Sequence, residues 1–125
     1  MSPLFHRNPE KAALKAAAKE EIARLRGLSV DDLAVDLFPG LGPDGPTHGE
    51  SVTRQKLCRY LLADHPGAGQ MDTLDLMAPV ARALDRLEGL GLVTTISVQR
   101  EPFWQITPLG ETTLANGTLR ERLDR

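Results

Sequence analysis

The chain has 125 residues, of which 41% are hydrophobic and 26% charged, the composition of one ordinary globular domain. No stretch approaches the roughly 18 consecutive apolar residues of a membrane-spanning helix, and no basic segment followed by an apolar core opens the chain, so a soluble cytoplasmic protein with no membrane partner is expected. The net charge of −2, carried as six basic against eight acidic residues in 1–50 and nine against nine in 51–125, excludes whole-molecule attraction to nucleic acid; such binding needs charge clustered on one face.

Cys58 is the single cysteine and can form no intramolecular disulfide; its place in "KLCRYLL" reads as a buried, inert thiol. His6, His48 and His65 share no ligand spacing with each other or with Cys58, so neither a metal nor another cofactor is expected.

"NPEKAALKAAAKEEIARLRGL" carries the strongest helix signal. Asn8 can cap it, Pro9 suits the first helical position, Glu10 favours the positive end and Gly27 stops it. Its apolar stripe of Leu14, Ala18, Ile22 and Leu25 is thin, so the helix either packs back on the domain or pairs with a second copy of itself. Lys11, Lys15 and Lys19 form a solvated basic line. "LSVDDLAVDLF" reads as a short helix capped by Ser29 with Asp32 three residues on, burying Leu33 and Leu37. Asp31, Asp32 and Asp36 have the spacing of a carboxylate cluster but no nucleophile, base or metal partner nearby in sequence, and no enzyme activity is expected. Pro39 to Glu50 is a loop rich in glycine and proline, expected to be exposed and mobile.

From Ser51, read as a cap, "SVTRQKLCRYLLADHPG" is a helix closed by Pro66 and Gly67. In "MDTLDLMAPVARALDRLEGLG" Pro79 leaves two readings: a short helix from Asp72 to Met77 followed by a second with Pro79 in its first turn, or one longer helix. Val80, Leu84 and Leu87 share an apolar face, and Gly89 and Gly91 end the helix. "LVTTISV" reads as a strand, "QREP" as a turn and "FWQIT" as the return strand. Ile96, Val98, Trp104 and Ile106 are expected together on the core face, with Phe103 opposite. Thr107 caps and Pro108 opens a last helix, bent near Asn116 and Gly117. The fold class is mostly α with a small β-hairpin (α+β).

"ALDRLEGLGLV", a hairpin and "ITPLGETTL" in that order resemble winged helix-turn-helix proteins of the MarR and PadR kind, over roughly residues 51–115. The matching positions are Leu84, Leu87, Gly91, Leu92, Val93, Ile106, Thr107, Gly110 and Leu114. The layout is also similar to small actinobacterial proteins to which no activity attaches. The resemblance implies an N-terminal helical extension over 1–38, the loop 39–50 and a winged-helix domain over 51–125. It implies a DNA-binding regulator with its third helix in the major groove, presenting Ala78, Arg82, Ala83, Asp85 and Arg86. Gln99 and Arg100 sit at the wing tip, and Arg54, Lys56 and Arg59 reach phosphates. The implied partners are double-stranded DNA and a second copy, paired through the N-terminal and C-terminal helices. Acidic residues among those arginines support an alternative: a winged-helix module that contacts protein and not DNA.

Overall fold

The computed structural model describes residues 9–125. Their elements are α1 (Pro9–Gly27), α2 (Val30–Leu37), α3 (Arg54–Leu61), α4 (Gln70–Asp75), α5 (Met77–Gly89), strands β1 (Val93–Val98) and β2 (Glu101–Ile106), then α6 (Pro108–Asn116) and α7 (Leu119–Leu123). The chain is mostly helical with one antiparallel hairpin, the expected fold class. The proposed Asn8 cap and His6 lie outside the described residues.

Helix α1 packs back on the domain through Ala18, Ile22 and Leu25, while Leu14 and the lysine line stay exposed. Arg24 bonds Glu21, which holds the Glu21 carboxyl below its ordinary pKa; the neighbouring His65, with Nε2 3.6 Å away, adds to this. In α2 the Ser29 hydroxyl accepts from the Asp32 N–H at 3.1 Å, and Leu33, Ala34 and Leu37 turn inward against α5. The buried residues, from Ile22 and Leu25 of α1 to Leu119 and Leu123 of α7, form one cluster. A boundary between an extension over 1–38 and a domain from 51 therefore does not divide the packing. The apolar face of α5 is wide enough to need α2 as well, because Ala83 is buried beside Val80, Leu84 and Leu87.

The loop 39–50 departs from expectation. Phe38–Leu41 forms a 3-10 turn whose Phe38 and Leu41 are 1% and 0% exposed. Gly42, Gly45, His48 and Glu50 then each donate a backbone bond to the carbonyl three residues back, at 3.0–3.1 Å, so the segment satisfies its own polar backbone while it packs. A Cβ on Gly45 would lie 2.1 Å from the Gly40 carbonyl oxygen, a spacing only glycine permits.

Thr53, not Ser51, caps α3: its hydroxyl accepts from the Lys56 N–H at 3.2 Å. Ser51 precedes Val52, which is held extended by reciprocal backbone bonds to Trp104 of 2.9 and 2.8 Å and adds a one-residue third strand to the hairpin. The helix pair around Pro79 is split, at Leu76, with Pro79 in the first turn of α5 where its missing N–H leaves no gap. Gly91 (φ +77°) ends α5: its N–H donates to Glu88 and the next N–H, of Leu92, to Leu87. Gly117 (φ +65°) ends α6 in the same way.

These corners meet. Thr107 donates its N–H to the Leu92 carbonyl at 3.0 Å and its hydroxyl to the Gly91 carbonyl at 2.6 Å. The same hydroxyl accepts from the Gly110 N–H at 3.0 Å. The "GLGLV" and "ITPLG" segments thus clasp each other.

The hairpin register corrects the expected strand face. Its connection is two residues, Gln99 and Arg100, both with positive φ (51° and 70°), a primed turn matched to strand twist. That length pairs Val93 with Ile106 and Thr95 with Trp104, so Val93, Trp104 and Ile106 face the core. Ile96 and Val98 fall on the opposite face with Phe103, 36% and 50% exposed. Apolarity alone favoured 96 and 98, but turn length fixes which alternate residues point inward.

Cys58 is fully buried, with Sγ 3.6 Å from Met77 Sδ, and burial pushes its thiol pKa from 9.0 up to about 11. Iodoacetamide at pH 8 should leave Cys58 unmodified in the native protein and label it in denaturant; native labelling at the denatured rate would contradict this packing. Because the folded state holds this proton more tightly, its contribution to stability is present below pH 9 and is lost as pH rises toward 11.

Candidate nucleic-acid interface

The outer face of α5 follows from its inner one: opposite Val80, Leu84 and Leu87 stand Ala78, Arg82, Asp85 and Gly89, all exposed. Arg82 makes no hydrogen bond or ion pair among the described residues. Ala83, expected on this face, is instead buried at 0% exposure.

Arg86 is also removed from the face. Its Nε donates to Asp31 Oδ1 at 3.1 Å and its Nη2 to the Leu123 carbonyl at 3.0 Å, which ties α5 to α2 and to the end of α7. The three carboxylates of α2 act alike: Asp31 holds Arg86, Asp32 holds Arg120 of α7, and Asp36 holds Arg24 of α1 at 3.2 Å. The Arg120 bond is the main reason the Asp32 carboxyl sits below its ordinary pKa. Water screens such exposed pairs, so each contributes little to stability and their effect is to orient three helices around α2. The acidic cluster is a set of helix ties. Glu88 similarly accepts from the Thr95 hydroxyl and fastens α5 to β1.

Of the other expected residues, Lys56 and Arg59 are exposed on α3, where with Asp44 they line a shallow surface. Arg54 opens α3 half-buried, its Nε without a partner, at a crease it shares with Glu101, Pro102 and Trp104 of the hairpin. Gln99 and Arg100 are exposed at the hairpin tip. Their left-handed backbone favours glycine or asparagine, so keeping a glutamine and an arginine there costs about 1 kcal/mol or more each. The structure thus brings Arg54 to the hairpin root, leaves Arg82 and Arg100 free on two adjoining elements, and takes Arg86 away. Sequence reasoning missed the indole N–H of Trp104, which is unpartnered; the signal lay in the residue type, since a tryptophan brings a donor wherever it is buried.

A cavity of about 720 Å³ lies between the 39–50 loop and α6, against Pro39, Asp44, His48, Glu111 and Leu114; none of the expected interface residues lines it. Among the described residues no group of three or more His, Cys, Asp or Glu side chains is placed to hold a metal ion. No helix among them is long and apolar enough to cross a membrane. Comparison with protein-family models, with curated proteins and with solved structures finds no match to this chain, so what it does has to be argued from its own geometry.

Proposed function

We propose that the protein is a winged-helix DNA-binding regulator of the cytoplasm, with α5 as the major-groove helix and the β1–β2 hairpin as the wing. The observation that carries this reading is the order α2, Val52 bridge, α3, α4, α5, hairpin, with Val52 pairing to the return strand. This arrangement leaves one face of α5 and a strained, arginine-bearing tip uncovered together. A strained tip kept at a cost in stability points to a use for its side chains. Arg82 is placed for base edges, and Arg100, Lys56 and Arg59 for phosphates. Leu119 and Leu123 of α7 are spent inside the protomer, so a homodimer through the N-terminal and C-terminal helices would use the exposed half of α1 and the outer face of α6, where Leu109 is exposed.

The test is retention of a random-sequence duplex at about 50 and 200 mM salt. Retention should fall steeply with salt, and Lys56→Ala with Arg100→Gly should lower the slope of log affinity on log salt by about two. Arg100→Gly alone should raise stability by about 0.5–1 kcal/mol by relieving the left-handed strain. Arg86→Ala should reduce stability and leave the slope unchanged. Absent or salt-independent retention ends the proposal.

A second reading has its own observation: the outer hairpin face exposes Ile96 and Val98 beside Phe103, and the α5 face carries one arginine against one aspartate. A protein-contact module would use that apolar face. It predicts self-association or a retained protein partner lost on Val98→Lys, without duplex binding; a monomer at high concentration that retains no partner would remove it.

A further inference from the structure

Three buried side-chain donors among the described residues have no acceptor, on Arg54, Trp104 and Arg122, and the residues bearing two of them line one cavity. Trp104 is 8% exposed and its Nε1–H is unpartnered; the Nε–H of Arg54 is buried and unpartnered as well. Both side chains line a cavity of about 140 Å³ with Thr53, Gln55, Met77, Glu101 and Pro102. An unmet buried donor is destabilising, and two on neighbouring residues at one cavity point to an acceptor that meets them.

The backbone fixes the pair. The Val52–Trp104 bridge holds the hairpin root against the entry to α3, Thr53 caps that eight-residue helix, and Arg54 is its first residue. The first-turn N–H groups of α3 and the positive end of its dipole face the same entry. The guanidinium is a cation and, like the indole, offers only donors. The complementary occupant is an anion with several acceptor atoms. Organic ligands occupy sites of about 300–1,000 Å³, so this cavity suits a single oxyanion group.

We infer that the crease between the first turn of α3 and the hairpin root is a seat for one phosphate-type oxyanion, bound by the Arg54 guanidinium and the Trp104 indole N–H. Glu101, which is exposed, lines the cavity and bonds neither donor, swings its carboxylate outward when the seat fills. The phosphate is either free in solution or part of a nucleic-acid backbone; only the second source rests on the DNA-binding reading.

Trp104 is the sole tryptophan, so its emission reports on the seat. Inorganic phosphate, titrated against chloride at constant ionic strength, should shift that emission saturably and raise Tm. By calorimetry, Arg54→Gln should weaken binding about ten- to hundredfold and Trp104→Phe about tenfold, while Glu101→Gln strengthens it. If Trp104→Phe does not fold, Arg54→Gln decides, since it leaves the core intact. If phosphate is inert but a duplex shifts the emission, and Arg54→Gln abolishes the shift, the seat holds a backbone phosphate. Duplex binding undiminished in Arg54→Gln, with phosphate inert, overturns the seat and leaves the DNA reading standing. Phosphate binding without duplex retention keeps the seat and ends that reading. Emission and Tm unmoved by either probe overturn the inference.

Discussion

Gly110→Ala is expected to lower stability by about 3 kcal/mol, seen as a lower urea midpoint at unchanged m-value. A Cβ at 110 would stand 2.1 Å from the Leu92 carbonyl oxygen and 2.7 Å from Ile106 Cγ1. The carbonyl is backbone and already accepts from the Thr107 N–H, so it cannot move aside without opening the clasp between the end of α5 and the start of α6. Gly27→Ala is the matched control: nothing lies within 4 Å of its Cβ position and its backbone is helical, so it should stay within about 0.5 kcal/mol of the parent. Equal midpoints for the two variants would mean that the clasp is not as close as described.

Leu41→Ala is expected to cost about 2–5 kcal/mol, the range for deleting a fully buried leucine side chain. A mobile surface loop would give nearly nothing, so the variant separates the two pictures of residues 39–50. Hydrogen exchange checks it independently. The amides of Gly42, Gly45 and His48 should be protected in the parent and exchange faster in the variant. Fast exchange at all three in the parent would contradict the packed turn series.

The strand face shows where sequence reasoning stops. Period two says that alternate residues of Val93–Val98 share a face; it does not say which set. Ile96 and Val98 are the more apolar alternative, yet the two-residue turn at Gln99 and Arg100 sets Val93 on the face of Trp104 and Ile106, where Val93 is the one buried residue of its strand. Arg86 shows the same limit on a helix. Its four-residue spacing from Arg82 predicts a shared face, but α2 and α7 lie along one flank and claim the second arginine. Of the seven expected interface residues, Lys56, Arg59, Arg82, Gln99 and Arg100 are exposed, while Arg54 is half-buried at the crease and Arg86 is tied to α2 and α7.

By itself the sequence determined whatever depends on neighbours a few residues away. That covers the Ser29 cap, the stop at Gly91, the break near Gly117, the buried Val80, Leu84 and Leu87, and the α+β class, while of the two readings left open at Pro79 the structure takes the split one. Caps, left-handed stops and helical period are set by short-range sterics and hydrogen bonding, which residue type encodes directly. Only the tertiary structure decided that α2 belongs to the common core, that the glycine-rich loop packs, that three arginines close on three aspartates, and that Arg54 and Trp104 share a cavity. These are contacts between residues tens of positions apart, and burial, register and pairing there are settled by which surfaces meet, a quantity no local pattern contains.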